Sequence, residues 1–414
     1  MKNLDFIFYY APQNIYSFNS LAGALENAKS EINVFFEQDS SNLSARAISS
    51  CKKGRTPIVC LSFCTTQSKE MAKLLSHLRR DLGPKILIIA GGPHPSARPR
   101  ESLLSGCDFV FDRESERTIL KFAAALAKGE NPGKVAGLYF LKNEHIEYTG
   151  HPEKPNLNEF MPFSFKHSKF GAIEITRGCS FRCGYCQTPF LFGNRLRHRS
   201  VEFILNLAEK MLKRNLNDFR FITPNAFSYG SANGRKPNPA TIGNLLSELK
   251  KLTRGKGRIF FGSFPSEIRP EHVNEDLMFL LKKYASNKRI IIGGQSGSER
   301  ILEKIGREHS VSDILNAAEI SVKYGFEPHV DFILGLPGEK KRDLKDTISL
   351  MDKLTDMGGR LHLHYFMPLP KTKFENEPPE KLPESARSKL KNFVARGLAY
   401  GHWEKQMDMG LSGI

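Results

Sequence analysis

Residues 177–187 read Arg-Gly-Cys-Ser-Phe-Arg-Cys-Gly-Tyr-Cys-Gln, which places Cys179, Cys183 and Cys186 on one short segment. The segment follows a predicted strand at 172–176, so the three thiols lie on a single loop at a strand end. Soft thiolate ligands at this close spacing suit an iron-sulfur cluster. Three cysteines ligate three corners of a four-iron cluster, which leaves the fourth iron open to another molecule.

The cysteine pattern has two other interpretations, namely a structural zinc site and three unrelated thiols. A structural zinc site normally takes a fourth Cys or His ligand. The remaining cysteines, Cys51, Cys60, Cys64 and Cys107, lie on predicted helices or strands and are expected to be small buried hydrophobic residues. Because the total of seven is odd and no export signal is visible, a disulfide framework is not expected.

Length and composition limit the class of protein. A chain of 414 residues with 40% hydrophobic and 25% charged residues is expected to form two or three globular domains. Its apolar runs are too short for a membrane span, and no secretory signal is visible, so the sequence predicts a cytoplasmic protein. The net charge of +17 lies mostly after residue 150 and suits nucleic acid, an anionic cofactor or an acidic protein, or simply a solvated surface.

Strand and helix patterns alternate along both parts of the chain. The second part contains six predicted strand-helix units, which favour a partial barrel over the complete eight-unit form. Their strands are expected at 172–176, 219–223, 258–264, 289–293, 329–334 and 361–367.

In the first part, strands such as 57–62 alternate with helices such as 68–82, which predicts a doubly wound parallel sheet. A hairpin, 137–141 with 146–149, is expected to close this part, and a proline-bearing stretch follows it. The predicted organisation is an α/β domain at 1–150, a linker at 151–168, a partial barrel at 169–370 and a short helical extension at 371–414.

The cysteine motif, with an aromatic residue before its last Cys, resembles the radical SAM superfamily, whose fold is a partial (β/α)6 barrel. In that family the open iron binds the amino and carboxylate groups of S-adenosylmethionine (SAM). Reductive cleavage then yields methionine and a 5′-deoxyadenosyl radical. The resemblance therefore implies a [4Fe-4S] cluster, SAM and an electron donor of the ferredoxin or flavodoxin type.

Further motifs resemble the SAM-binding segments of this family. Residues 294–299 and 306–307 are similar to the QSGS and GR segment that a subgroup shares with methylthiotransferases, and residues 332–339 to a fifth-strand motif that meets adenine. The resemblance implies that the following residues contact SAM: Tyr185, Gln295, Ser296, Arg307 and Gly335.

Two motifs depart from the family pattern. Where a GGE motif usually grips the SAM amino group, residues 223–226 read Thr-Pro-Asn-Ala, which leaves Asn225 as the substitute. His362, His364, Pro368 and Pro370 resemble an HxHxFxPxPGT pattern, with Lys371 in place of its Gly. His364 is expected either to face the active site or to be a core histidine.

Two segments of the first part follow predicted strands and carry a second resemblance. Residues 62–67 read Ser-Phe-Cys-Thr-Thr-Gln and residues 91–94 read Gly-Gly-Pro-His. Together they resemble the cobalamin-binding domain of B12-dependent radical SAM proteins. The implied cobalamin contacts are Ser62, Phe63, Thr65, Gln67, Gly91, Gly92, Pro93, His94 and Glu116.

The cobalamin motifs are incomplete. Residues 17–22, where many such domains place a cobalt-ligating histidine, contain none, and the common GEGE motif is replaced by Arg-Glu-Ser-Glu at 113–116. These departures imply either base-off cobalamin without a protein histidine on cobalt or a degenerate domain that binds nothing.

The combined resemblance implies a cobalamin-dependent radical SAM methyltransferase (with cobalamin as methylcobalamin) that methylates an unactivated carbon. One SAM would methylate cobalamin, and a second would generate the radical that removes hydrogen from the substrate. A protein or peptide is the expected substrate, as for the methanogen enzyme that C-methylates a glutamine of methyl-coenzyme M reductase. Three alternatives remain. The first is an RNA methylthiotransferase, which would normally carry a second cysteine triplet. The others are a radical SAM protein with a degenerate B12 domain and a cluster-bearing or B12-sensing binding module.

Overall fold

The computed structural model describes residues 2–28, 31–84 and 86–412, and the chain divides into two compact units, Met1–Gly171 and Ala172–Ile414. The strands of the first unit are β1 (Leu4–Tyr9), β2 (Ile32–Glu37), β3 (Thr56–Ser62), β4 (Leu87–Gly91), β5 (Phe109–Phe111), β6 (Leu138–Lys142) and β7 (His145–Tyr148). Its helices are α1 (Ile15–Leu25), α2 (Ser40–Lys52), α3 (Ser68–Leu82), α4 (Pro93–Ala97), α5 (Pro99–Leu104) and α6 (Glu116–Lys128).

The first unit is built on one sheet with the strand order β2-β1-β3-β4-β5-β6-β7. Strands β1 to β5 are parallel, and β6 and β7 form an antiparallel hairpin at the edge. Because side chains alternate along a strand, Phe6 and Ile7 point into two separate hydrophobic cores, one on each face. The predicted parallel sheet and closing hairpin are confirmed.

The prediction that four cysteines of this unit are buried is correct for Cys60 and Cys107 and wrong for Cys51 and Cys64, which are exposed. Helix α2 buries Leu43 and Ala47, but Cys51 lies in its last turn, where residues 51–54 are exposed. Cys64 lies beyond the end of β3, where the strand pattern that predicted burial no longer applies.

The second unit alternates short strands with helices. Its strands are β8 (Ile173–Glu174), β9 (Thr176–Arg177), β10 (Arg197–His198), β11 (Asp218–Ile222), β12 (Arg258–Phe260), β13 (Arg289–Gln295), β14 (Glu327–Leu334), β15 (Arg360–Tyr365) and β16 (Ala399–Tyr400). Its helices are α7 (Thr188–Phe192), α8 (Val201–Leu212), α9 (Pro239–Leu252), α10 (Glu275–Tyr284), α11 (Glu299–Lys304), α12 (Val311–Lys323), α13 (Lys341–Asp356), α14 (Glu384–Ala395) and α15 (Trp403–Leu411).

Parallel pairing links these strands into the wall of a partial barrel. One sheet has the order β12-β11-β8 and another the order β13-β14-β15-β16, with a bridge between Ile268 and Ile292. All six predicted strands are present, some of them shorter than expected. Residues after 371 add β16, which pairs with β15, and α15, which packs against β15. Across the described residues, no helix is both long and apolar enough to cross a membrane.

Side-chain caps set where several helices of the second unit begin. Ser200 accepts a hydrogen bond from the Phe203 amide, and Ser310 forms a capping box with Asp313. Each cap satisfies an amide that the first helical turn leaves unpaired. The caps therefore help to define where the loops that follow the strands end.

The two adjacent glycines at the end of β4, Gly91 and Gly92, should differ in their effect on stability. Gly92 has a φ of +91°, and a Cβ there would lie 2.7 Å from Ser62 Oγ, whereas a Cβ on Gly91 would lie 3.6 Å from its nearest neighbour, Phe111 Cβ. We expect Gly92→Ala to lower the free energy of unfolding by about 1–3 kcal/mol and Gly91→Ala by less than about 1 kcal/mol. Calorimetric unfolding of the full chain measures both, and equal effects would contradict this account.

Candidate active site

The three cysteines of the 177–187 loop line a cavity of about 360 Å³ in the second unit. The Cys186 amide donates to the Cys183 carbonyl at 3.0 Å, which makes a tight turn between these two thiols. The Cys179 amide donates to Gly193 at 3.2 Å, and the Gly184 amide donates to Ile305 at 2.8 Å. Backbone hydrogen bonds thus fix the loop, and its sulfur atoms are available to one common ligand.

The segment after β15 covers the outer side of this loop. A Cβ on Gly184 would lie 2.6 Å from the ring of Phe374, and the Phe374 amide donates to the Gly184 carbonyl at 3.1 Å. Gln187 Nε2 donates to the Pro370 carbonyl at 2.7 Å. Glycine is required at position 184 because the aromatic ring leaves no space for a side chain.

Cationic groups lie beside the thiols. Arg307 Nη1 is 3.8 Å and Arg269 Nη1 is 4.0 Å from Cys183 Sγ. Burial raises the pKa of Cys179 to about 11 and also raises the pKa of Cys186, so these thiols are protonated until a metal displaces the protons. Three sulfur ligands with adjacent positive charge fit a [4Fe-4S] cluster, because the cations offset the charge of its thiolates.

Arg307 is a deeply buried charge at the cavity, with 3% of its surface exposed. Its guanidinium donates to the Gly293 carbonyl, and Nη1 lies 3.4 Å from the Tyr185 hydroxyl and 3.9 Å from Glu267 Oε1. Burial lowers the pKa of Arg307, but the neighbouring Tyr185, Cys183 and Glu267 outweigh it and leave the pKa raised. The side chain therefore stays charged and presents a guanidinium to the cavity wall.

Glu267 is a site residue that the sequence analysis missed. It lies just beyond β12, lines the cavity and leaves 29% of its side chain exposed there. Burial raises its pKa to about 7, against the opposite effect of Arg307. The available signal was its position shortly after a predicted strand, within Pro-Ser-Glu-Ile-Arg at 265–269, but no familiar motif marked it.

A β-bulge aims Gln295 into the cavity. The pairing of β13 with β14 shifts register between Gly293 and Gln295, and Gln295 has a φ of +72°. Such a conformation is strained for a residue with a side chain, and bulges commonly redirect side chains beside functional sites. Gln295 is buried and Tyr185 is half-buried, and both line the cavity where the sequence motif predicts SAM contacts.

The remaining residues predicted to contact SAM are Asn225, Ser296 and Gly335, and of these three only Asn225 lines the cavity. Asn225 lines the cavity, but its Nδ2 already contacts Ser228 Oγ at 2.6 Å and His272 Nδ1 at 2.8 Å. Ser296 is fully buried and contacts Thr347 Oγ1 at 3.3 Å, and Gly335 forms a tight turn with a φ of +69°. Neither Ser296 nor Gly335 is among the residues that line the cavity.

The strands opposite the cysteine loop contribute a polar group to the same cavity. His364 and Asp331 line it, so His364 faces the candidate active site. Asp331 Oδ1 lies 2.9 Å from His362 Nδ1, which lies 3.2 Å from His364 Nε2. Burial lowers the pKa of His364 to about 4. The remaining lining residues are Phe181, Thr188, Pro224, Arg269, Ile333, Tyr365, Phe366, Met367, Leu369 and Gln406.

The first unit brings its two predicted cobalamin segments together at the carboxyl ends of β3 and β4. The His94 amide donates to the Phe63 carbonyl at 3.1 Å, and His94 Nδ1 lies 3.3 Å from Thr65 Oγ1. Gln67 Oε1 accepts from the Cys64 amide at 3.1 Å. Ligands of open parallel sheets bind at this edge, where a Cβ on Gly91 would meet Phe111 at ordinary contact distance.

Other predicted cobalamin residues have local structural contacts. Pro93 begins α4, directly after Gly92, and Glu116 begins α6. Ser20 Oγ donates to Glu116 Oε1 at 3.0 Å. Residues 17–22, the stretch without a histidine, lie inside α1 and bury Phe18 and Ala22 in the core. These residues therefore form part of the sheet's helical cover.

Comparison with known families accounts for both units. The sequence model of the radical SAM superfamily matches residues 173–351, and that of the B12 binding domain matches residues 16–123. The chain thus carries a radical SAM domain and a B12-binding domain. The predicted family and fold class are confirmed, and the cysteine loop lies within the residues that match the radical SAM superfamily.

Two relatives each match about half of the chain. An uncharacterized protein of Methanocaldococcus jannaschii is 31% identical over 217 residues, which cover 50% of this chain and 42% of that protein. The tRNA-2-methylthio-N(6)-dimethylallyladenosine synthase of Finegoldia magna is 30% identical over 204 residues, 49% of this chain and 42% of that enzyme. The chain thus spans less than half the length of these two relatives.

A solved structure resembles most of this chain in fold. It is the radical S-adenosylmethionine methyltransferase TsrM from Kitasatospora setae with cobalamin and a [4Fe-4S] cluster bound. The TM-score is 0.70 at 15% sequence identity, and the similarity covers 91% of this chain and 74% of TsrM. The two proteins therefore share the fold of a B12-binding domain followed by a radical SAM domain.

Replacing Cys179, Cys183 and Cys186 with Ala should abolish cluster binding, because the three sulfur atoms line one cavity. Iron and sulfide per chain after anaerobic reconstitution measure the effect, with Cys51→Ala, at an exposed thiol, as the matched control. We expect the control to keep about four irons and the triple variant to lose them. Iron retained by the triple variant would contradict this assignment.

Gly293→Ala should weaken SAM binding without removing the cluster. Its Cβ would lie 2.7 Å from Glu267 Oε2 and 2.8 Å from Arg307 Nη2, so both side chains must move. We expect SAM affinity to fall about tenfold, equivalent to about 1.4 kcal/mol. Anaerobic calorimetry measures it, with Gly243→Ala as control because that Cβ meets its nearest atom at 3.4 Å. Unchanged affinity in Gly293→Ala would contradict the account.

Proposed function

We propose that this enzyme is a cobalamin-dependent radical SAM methyltransferase that acts on an unactivated carbon. The observation that carries the proposal is that one chain combines a cavity lined by three cysteines and Arg307 with a B12-binding domain, whose two predicted cobalamin segments meet at one sheet edge. When bound, the cluster and SAM supply hydrogen abstraction, and cobalamin supplies a methyl group. The protein's own residues bind and orient these groups and exclude water from the cavity.

In this proposal, Arg307 pairs with the SAM carboxylate and Glu267 accepts hydrogen bonds from the SAM amino group. A guanidinium suits a carboxylate because it offers two parallel N–H donors. Glu267 takes the role that the sequence analysis gave to Asn225, whose amide nitrogen already has two partners. Gln295 contacts the ribose, and the backbone of Tyr185 and of Gly335 contacts adenine, as the family resemblance implies.

We also propose a protein or peptide substrate and a ferredoxin or flavodoxin type electron donor. An acidic donor is favoured because the chain has a net charge of +17, and attraction between opposite charges speeds association. For the substrate, the finer hypothesis is a glutamine of methyl-coenzyme M reductase. A peptide that contains this glutamine, incubated with SAM carrying a labelled methyl group, tests it by mass spectrometry, with an asparagine peptide as control.

The main competing function is methylthiolation of RNA, because one relative of this chain is the tRNA methylthio synthase from Finegoldia magna. It would normally need a second cysteine triplet, but Cys60 is buried in β3 whereas Cys51 and Cys64 are exposed. Iron and sulfide analysis separates the two functions, because one cluster per chain supports methylation and two clusters support methylthiolation.

The reaction itself is tested by anaerobic turnover with cobalamin, a reductant and cell extract as a source of substrate. We expect cobalamin to be retained and each methyl transfer to yield S-adenosylhomocysteine, 5′-deoxyadenosine and methionine in equal amounts. The stoichiometry follows because one SAM donates the methyl group and a second is cleaved. SAM cleavage without cobalamin retention would overturn the methyltransferase proposal and support a degenerate B12 domain.

Glu267→Gln should weaken SAM binding and remove most of its dependence on pH. Because the pKa of Glu267 is about 7, its carboxylate gains charge as the pH rises from 6 to 8, and affinity for the amino group should rise with it. We expect the variant to bind about 10–100-fold more weakly at pH 8, the range for a hydrogen bond to a charged group. Calorimetric titration at both pH values measures this, and an unchanged pH profile in the variant would contradict the role of Glu267.

A further inference from the structure

Asp331, His362 and His364 lie together on the inner face of the barrel. None of the three is among the residues proposed above to hold the iron-sulfur cluster, SAM or cobalamin. Strands β14 and β15 are parallel, and their register pairs Asp331 with His362 and Ile333 with His364. Residues two apart on a strand point to the same face, so both histidines project on the side that carries Asp331. His362 and His364 therefore meet Asp331 only because β14 and β15 pair in this register.

The three side chains direct their lone-pair atoms toward one another. Asp331 Oδ1 is 2.9 Å from His362 Nδ1, His362 Nδ1 is 3.2 Å from His364 Nε2, and all three atoms lie within 4.8 Å of one another. A neutral imidazole nitrogen carries either one hydrogen or one lone pair. His362 Nδ1 therefore cannot donate to Asp331 and accept from His364 at the same time.

A shared cation resolves this arrangement, because all three atoms can then present lone pairs to one centre. Bonds of about 2.0–2.2 Å to a divalent transition metal place neighbouring ligand atoms about 2.8–3.6 Å apart, for angles between octahedral and tetrahedral. The two short separations in the cluster, 2.9 and 3.2 Å, lie in this range. We propose that Asp331, His362 and His364 bind one divalent transition metal ion, separate from the iron-sulfur cluster.

Surrounding residues hold the proposed ligands in position. The ring of Tyr400 stacks on His362 with centroids 4.5 Å apart and planes 11° apart, and the Tyr400 hydroxyl lies 2.9 Å from His329 Nδ1. Groups behind a metal ligand commonly fix its orientation in this way. Strand β16, which carries Tyr400, comes from the segment after 371, so this segment also orders the metal ligands.

The position of the proposed metal ion at the cavity indicates its function. Asp331 and His364 line the same cavity as the cysteines, so a metal with three protein ligands would keep open positions at the cavity wall. Two histidines and one carboxylate with open positions suit Fe(II) and Zn(II). The ligand class for those positions is an oxygen or nitrogen group of the substrate. The site would then anchor the substrate and not take part in the cleavage of SAM.

The test uses the fully reconstituted enzyme dialysed against ZnCl2, with iron and zinc per chain measured together. We expect one zinc in addition to about four irons, with His362→Gln and His364→Gln each lowering zinc affinity at least about tenfold while iron stays constant. The matched control is His145→Gln, because His145 is exposed on β7 in the other unit. Zinc binding equal in all variants, or no zinc in the unaltered enzyme, would overturn the proposal.

X-ray absorption at the zinc edge of the unaltered enzyme adds a measurement that does not depend on the folding of variants. We expect a shell of nitrogen and oxygen at about 2.0–2.2 Å. A sulfur shell at about 2.3 Å would place the zinc on the cysteine loop and overturn the assignment. Because zinc is measured without turnover, failure of the methyltransferase proposal would leave this result unaffected, and the reverse also holds.

Discussion

The burial of one guanidinium, that of Arg307, is the constraint on which the cavity of the radical SAM domain depends. Removing a charge from water costs several kcal/mol unless partners and hydrogen bonds compensate for it. Here the compensation comes from the Gly293 carbonyl, the Tyr185 hydroxyl and the carboxylate of Glu267. Each of these groups comes from a different segment. The Arg307 side chain therefore contacts the cysteine loop, the residues after β12 and strand β13 at once.

The positive charge of Arg307 also favours the binding of anions in the cavity. Glu267 neutralises Arg307 only in part, because burial leaves its carboxyl group half protonated near neutral pH. The thiols of Cys179 and Cys186 are also neutral without a metal. An empty cavity is therefore short of negative charge, and both a thiolate-ligated cluster and a carboxylate supply it. Electrostatics thus favours binding before any contact with the adenosine part of a ligand is considered.

Sequence patterns predicted the parts of this structure that depend on local order. The six barrel strands follow from alternating apolar segments, and the cysteine loop follows from its spacing after the first of them. What could not be predicted depends on contacts between distant segments. Glu267 reaches the cavity beside Arg307, the Asp331 cluster depends on strand register, and Asn225 is occupied by His272 and Ser228. The misjudged exposure of Cys51 depended on its place in the last turn of α2, where residues 51–54 are exposed.

The ring of Phe374 over Gly184 has a consequence for how the protein is made. The cysteine loop leaves the ribosome well before the segment that covers it, since Phe374 lies beyond the last strand of the predicted barrel. While that segment is still unsynthesised, the loop has no lid on its outer side and is open to the iron-sulfur delivery machinery. The segment that carries Phe374 then covers the loop, so the order of synthesis provides an interval for cluster insertion before this segment packs over it.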